Sequence, residues 1–195
     1  MTLRGTPVRF VTLVVVLALA AWGGGTFAGG DDKEKESEGY VVFDDAHPLG
    51  EVQADNALIY VVRPTSMGFA IKSFFFCDDD LLGLNRGSSY FFAHVAPGKH
   101  VFWSKSENID ALELTVVAGK TYYLQQHVRM GGFRARTEVE VLGEAEGKAA
   151  LEKCKKHGTV TEKGLETGKE YAAKYKTNVQ EDLDRKAKEA AQRKP

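Results

Sequence analysis

The chain has 195 residues, of which 43% are hydrophobic and 27% charged, with a formal net charge of −1 and two cysteines. This composition excludes a disordered chain, a multi-span membrane protein and a disulfide-rich miniprotein, each of which needs a different balance. Near-neutrality also removes any global electrostatic reason to bind nucleic acid, and the length suits one domain with extensions.

Residues 1–28 read as a signal segment. Arg4 and Arg9 form a positive start, Phe10 to Trp22 is apolar, and Thr26-Phe27-Ala28 offers a small-x-small site with cleavage after Ala28. An uncleaved inner-membrane anchor is the competing reading, because no charge lies between Arg9 and Asp31. Either reading exports the remainder, to the periplasm or outside the cell. Removal of Arg4 and Arg9 leaves 24 basic against 27 acidic residues.

Residues 29–56 form a charged linker and lead-in, DDKEKESE and then an irregular stretch with one edge strand near Tyr40 to Phe43. Residues 57–143 read as the β domain. Its strands are Ala57 to Arg63, Ala70 to Asp78, Leu81 to Leu84, Ser89 to Val95, His100 to Ser106, Ala111 to Val117, Thr121 to Met130 and Ala135 to Leu142. Turn residues separate them at a spacing that predicts an all-β fold: an antiparallel sandwich or partly open barrel of seven to eight strands, with one or two C-terminal helices. After Gly143 the composition turns to Ala, Glu and Lys. Residues 144–157 are expected as a packing helix stopped at Gly158, and residues 158–195 as a charged helical tail starting near Gly168, with Thr167 and Glu170 as a capping box. Tyr171, Tyr175, Val179 and Leu183 form one narrow apolar stripe on it. The 13 basic and 10 acidic residues of 144–195 read as a solvated surface with weak attraction to anionic envelope polymers or lipid headgroups.

Aromatic doublets carry the main inference. Phe74-Phe75-Phe76, Tyr90-Phe91-Phe92, Phe102-Trp103 and Tyr122-Tyr123 lie on four strands. Adjacent strand residues face opposite ways, so rings must line both faces of a sheet and something must cover the second face. That cover is either the chain's own helix or a partner. The partner reading makes Phe75, Phe91, Trp103 and Tyr123, with Gln125, His127 and Arg129, the candidate binding face. An envelope protein or a glycan would be the partner, and the membrane would be reached only through the N-terminal segment. The oligomeric state is left open.

Other chemistry is sparse. Cys77 and Cys154 are an even pair in an oxidising compartment, which reads equally as a disulfide stapling helix to sheet or as two free thiols. His94, His100 and His127 are the one histidine trio for a metal-dependent hydrolase. Asp78, Asp79 and Asp80 fit a turn better than a cation site. No nucleophile elbow and no nucleotide loop occurs, so no cofactor and no catalytic residue is assigned. The expected role is a non-enzymatic envelope binding module. The alternatives are the histidine hydrolase and a structural protein self-associating through its tail helix.

The segments ALIYVVRP, FFFCDDDLLGLNRGSSYFFAHVAPGKH and LTVVAGKTYYLQQHV resemble the bacterial domain-of-unknown-function 2846 family. The resemblance implies a small β-rich domain in an exported or membrane-anchored envelope protein, and carries no catalytic residue. The acylated cysteine of that group's lipoproteins is missing here.

Overall fold

The computed structural model describes residues 39–130 and 135–193. Residues 1–28, read above as a signal or anchor segment, the charged run 31–38 and the Gly131-Gly132 break lie outside the described residues. The strands are β1 (Val41–Asp44), β2 (Ala57–Arg63), β3 (Ser73–Cys77), β4 (Asp80–Asn85), β5 (Ser89–Val95), β6 (Gly98–Lys105), β7 (Ile109–Val116), β8 (Thr121–Met130), β9 (Ala135–Leu142) and β10 (Lys156–Val160). Two helices complete the described chain, α1 (Glu144–Glu152) and α2 (Glu162–Gln192).

Ten strands build two open sheets rather than the expected seven or eight. One has the order β1-β10-β5-β2-β8-β9 and the other β4-β3-β6-β7. The sheets face each other as a sandwich and do not close into a barrel. The larger sheet is mixed, because β2 runs parallel to β8 and β10 parallel to β5. The β2-to-β8 path crosses through the second sheet, so the parallel pair needs no helical crossover and leaves no helical pattern between them.

Two-fold alternation sorts the aromatic doublets between layers, as the pleat requires. Phe75, Phe91 and Phe102 enter the core between the sheets, with Tyr122 at its margin. Tyr90 and Tyr123 turn to the outer face of the six-stranded sheet, under Ala150 and Leu151 of α1. Phe76 and Trp103 turn to the outer face of the four-stranded sheet, stacked with ring centroids 3.9 Å apart under Ala172 and Val179 of α2. The protein is therefore four layers deep, helix on sheet on sheet on helix, and its own helices cover both outer aromatic patches. The expected stripe of Tyr171, Tyr175, Val179 and Leu183 is the face of α2 that does so.

Helix α1 can lie this close because position 147 is glycine; a Cβ there would sit 2.1 Å from the Tyr123 ring. The C-terminal boundaries differ from expectation. The first helix stops at Glu152, and Lys156–Val160 is a strand inserted between β1 and β5. The lysines just before it, Lys153 and Lys155, continue the helix-like run, but KHGTV itself holds Gly, Thr and Val, and the free edges of two strands give it partners. The long helix starts six residues earlier than expected, capped by Thr161, whose Oγ1 accepts from Gly164 N at 3.1 Å and donates to Gly39 O at 2.6 Å. Among the described residues no helix is long and apolar enough to cross a membrane.

Candidate functional site

The aromatic residues of the candidate binding face are all buried: Phe75, Phe91, Trp103 and Tyr123 are 0%, 1%, 2% and 5% exposed. They are packing residues, which removes them from any contact surface. The polar members lie beyond the reach of α1, on the outer face of β8 opposite β9. His127 Nε2 meets Glu140 at 2.8 Å, Gln125 Nε2 meets His127 Nδ1 at 3.2 Å, and Arg129 pairs with Glu138 at 3.0 Å. This half of the sheet face is a charged ladder that water covers adequately, so it needs no apolar lid.

The cysteines are free and sit in different layers. Cys77 lies in the core between the sheets, Cys154 outside the six-stranded sheet under α1, and that sheet separates them. Of the two readings left open for the pair, the disulfide is excluded and the two free thiols stand. Burial pushes both thiols up to about 12, helped at Cys77 by the charges of Asp78 and Asp80. Both remain protonated at neutral pH and are poor nucleophiles.

The histidine trio is not assembled. His94 Nε2 contacts Glu51 O at 2.7 Å, His127 faces Glu140, and His100 stands on the other sheet against Asp78. Among the described residues one group places ligand-type atoms within 4.8 Å of one another, namely Cys77, Asp78 and His100. Its wiring is structural. His100 Nδ1 faces Asp78 Oδ2 at 2.6 Å and its Nε2 faces Ala96 O at 2.9 Å. Both partners accept, so the ring donates twice as an imidazolium, and the bond to Asp78 raises its pKa. Asp78 is held in turn: Oδ1 accepts from Val101 N at 2.8 Å and its carbonyl accepts from Trp103 Nε1 at 2.8 Å. The thiol is protonated and both ring nitrogens are engaged, so a metal here would have to displace protons and both hydrogen bonds of the ring. The group fastens the β3–β4 turn to β6, consistent with the turn reading of Asp78 to Asp80; Asp78 has a φ of 51°.

The open side of the sandwich holds the larger arrangement, and sequence reasoning missed it. There β9 is the edge of one sheet and β7 the edge of the other. Side chains of β7 and of the residue before it cap the backbone of β9: Asn108 Oδ1 accepts from Thr137 N at 2.7 Å, and Asp110 Oδ2 from Val139 N at 2.8 Å. Helix α2 caps β7 in the same way. Asp182 Oδ2 accepts from Ala111 N at 3.0 Å, and Lys186 Nζ donates to Ala111 O at 2.7 Å. Lys186 also pairs with Asp110 at 2.8 Å, and Arg185 with Asp182. Both buried carboxylates are thus hydrogen-bonded and paired, the condition under which buried charge is tolerated. One signal was readable: Asp110 and Thr137 are polar residues at inward positions of otherwise alternating strands.

Beyond Lys186 the helix runs past the sheet with every residue exposed. It overhangs the β9 edge and encloses a cleft of about 750 Å³. Arg129 and Arg136 line one wall, and Arg185, Lys186 and Arg193 the other. Three carboxylates, Asp110, Glu138 and Glu189, share the lining. Asp110 is bound to Lys186, Glu138 to Arg129 and Glu189 to Arg185. The guanidinium groups of Arg136 and Arg193 make no ion pair among the described residues, and with Asp182, which pairs with both Arg185 and Lys186, five cations stand against four carboxylates at the cleft.

Residues 53–140 match the family model described as a protein of unknown function, DUF2846. An uncharacterized protein of Haemophilus influenzae is 30% identical over 100 residues, 50% of this chain. The chain spans 59% of that relative's length. The DUF2846 match ends inside β9, so it takes in Arg129 and Arg136 but not the α2 wall of the cleft.

Proposed function

We propose that this is an exported, non-catalytic binding module that takes an anionic ligand in the cleft between β9 and the end of α2. The carrying observation is that Arg136 and Arg193 both line the cleft and have no carboxylate partner among the described residues. Guanidinium groups suit phosphate and carboxylate oxygens, to which they present two parallel donors. Among the described residues the lining holds no serine, cysteine or histidine, which supports binding over hydrolysis. Export rests on the charged, apolar and small-residue order of the first 28 residues, and an envelope setting on the family resemblance. Phosphate-bearing or carboxylate-bearing envelope polymers are the ligand class that fits both.

Titration of the full chain with inorganic pyrophosphate, followed by calorimetry, tests this. Saturable binding is expected, weakened about tenfold or more in Arg136→Gln and Arg193→Gln, in line with the loss of one charge-assisted contact. Substitution of His100, remote from the cleft, should leave it unchanged. Binding that is absent, or insensitive to both arginines, overturns the proposal.

A further inference from the structure

The opposite treatment of charge and apolar surface is found at the loop 64–72, which follows β2. Its tip carries two large apolar side chains in solvent, Met67 at 66% and Phe69 at 74% exposure. The backbone beneath them is held from inside. Arg63, fully buried, donates Nη1 to Ile71 O at 2.6 Å, and Nη2 to Gly68 O at 2.7 Å and Met67 O at 3.1 Å. A second loop braces it: Ser88 N donates to Thr65 O at 2.9 Å, and a Cβ on Gly87 would press within 3.0 to 3.1 Å of the backbone at Ser66 and Phe69. A third segment joins at the same point, since Lys155 N and Lys156 N both donate to Ser88 O.

These three segments, 64–72, 85–88 and 153–156, contain no acidic residue and carry Lys72, Arg86, Lys153, Lys155 and Lys156. Lys156 is tied to Asp45 at 3.3 Å. Arg86 lies over the Phe43 ring at 4.5 Å and keeps its charge. The result is a stiff apolar tip in a cationic collar. Two side chains are far too little for a specific protein interface, which buries about 800 Å² on each partner. They do suit insertion below the headgroups of a bilayer, with the collar meeting anionic lipid. Pre-ordering by Arg63 means that little loop entropy is lost on contact.

We infer that this end of the domain docks on an anionic lipid surface through Met67 and Phe69. None of the loop's residues lines the cleft. The test uses the full chain with Phe69→Trp, a change at an exposed position, and vesicles whose acyl chains are brominated. The parent chain, carrying Trp22 and Trp103, gives the background. With phosphatidylglycerol vesicles the added Trp fluorescence should fall at least about twofold, as for a ring at acyl-chain depth. With phosphatidylcholine, or in about 0.5 M salt, it should fall much less. Adding Lys153→Gln and Lys155→Gln, both exposed, should weaken the apparent affinity about tenfold or more. A chain that sediments with anionic vesicles while the new Trp stays unquenched overturns the inference and places the contact elsewhere, the N-terminal segment included. Equal quenching by neutral and anionic lipid overturns the anionic assignment. A tip reserved for a protein leaves the Trp unquenched in both lipids, which also overturns it.

Discussion

The two ends of the core between the sheets are built from different chemistry. One end is apolar, with Ala57, Ile59, Phe75, Cys77, Phe102, Val116 and Leu124 packed together. At the other, inward positions of the same strands hold Arg63, Ser73, Ser89, Ser104, Gln126 and Thr137, all at 2% exposure or less. The polar end is wired: Gln126 Nε2 donates to Ser104 Oγ at 2.5 Å, and Ser104 Oγ meets Thr137 Oγ1 at 2.7 Å. It is also incompletely satisfied, since Arg63 Nε, Ser73 Oγ and Gln126 Oε1 have no hydrogen-bond partner among the described residues. Stability should therefore reside mainly in the apolar end, whereas the polar end fixes the position of loop 64–72 and the β7–β9 edges.

The largest effect that would sharpen this contrast is Phe75→Ala, expected to cost about 3 to 5 kcal/mol in urea unfolding because it empties the apolar end. A loss no greater than that of a polar-end substitution would break the comparison. Next comes Arg63→Met, which removes a buried cation whose pKa burial lowers to about 10 and leaves three carbonyls bare. A loss of about 2 to 3 kcal/mol is expected, with faster hydrogen exchange concentrated in 64–72; uniform acceleration across the sheets would contradict the local role. Ser104→Ala should cost about 1 kcal/mol, one hydrogen bond at the centre of the network.

The smallest effect concerns the clamp beyond the apolar end. The folded pKa of His100 is raised by its bond to Asp78. Its stabilisation is thus fully present below the unfolded value near 6.5 and is lost as pH rises through the folded value. Asp78 is half exposed, so the pair should contribute under about 1 kcal/mol. His100→Gln should flatten that part of the stability profile between mildly acidic and mildly alkaline pH. An unchanged profile would show that the pair adds nothing measurable.

The limits of sequence reading follow from the same physics. Strands Ser89–Val95, Thr121–Met130 and Ala135–Leu142 were legible to the residue, because alternation and flanking turn residues are local signals. Strand Lys156–Val160 was not, because its five residues gain their order from two distant edges. The cleft was illegible for a related reason: Arg136 and Arg193 lie far apart in the chain, and surface arginines carry no pattern. Arg63 read as the end of a strand before Pro64; its inward direction follows from parity once Ile59 and Val61 are known to face the core.

The amino-acid pattern alone determined that rings must emerge on both faces of a β layer and that something must cover each face, since neighbouring strand residues cannot share a side. Which body covers each face, which sheet each strand joins, and that the two cysteines lie a layer apart were decided only by the tertiary structure. Those outcomes depend on pairings between residues distant along the chain, which no local period encodes.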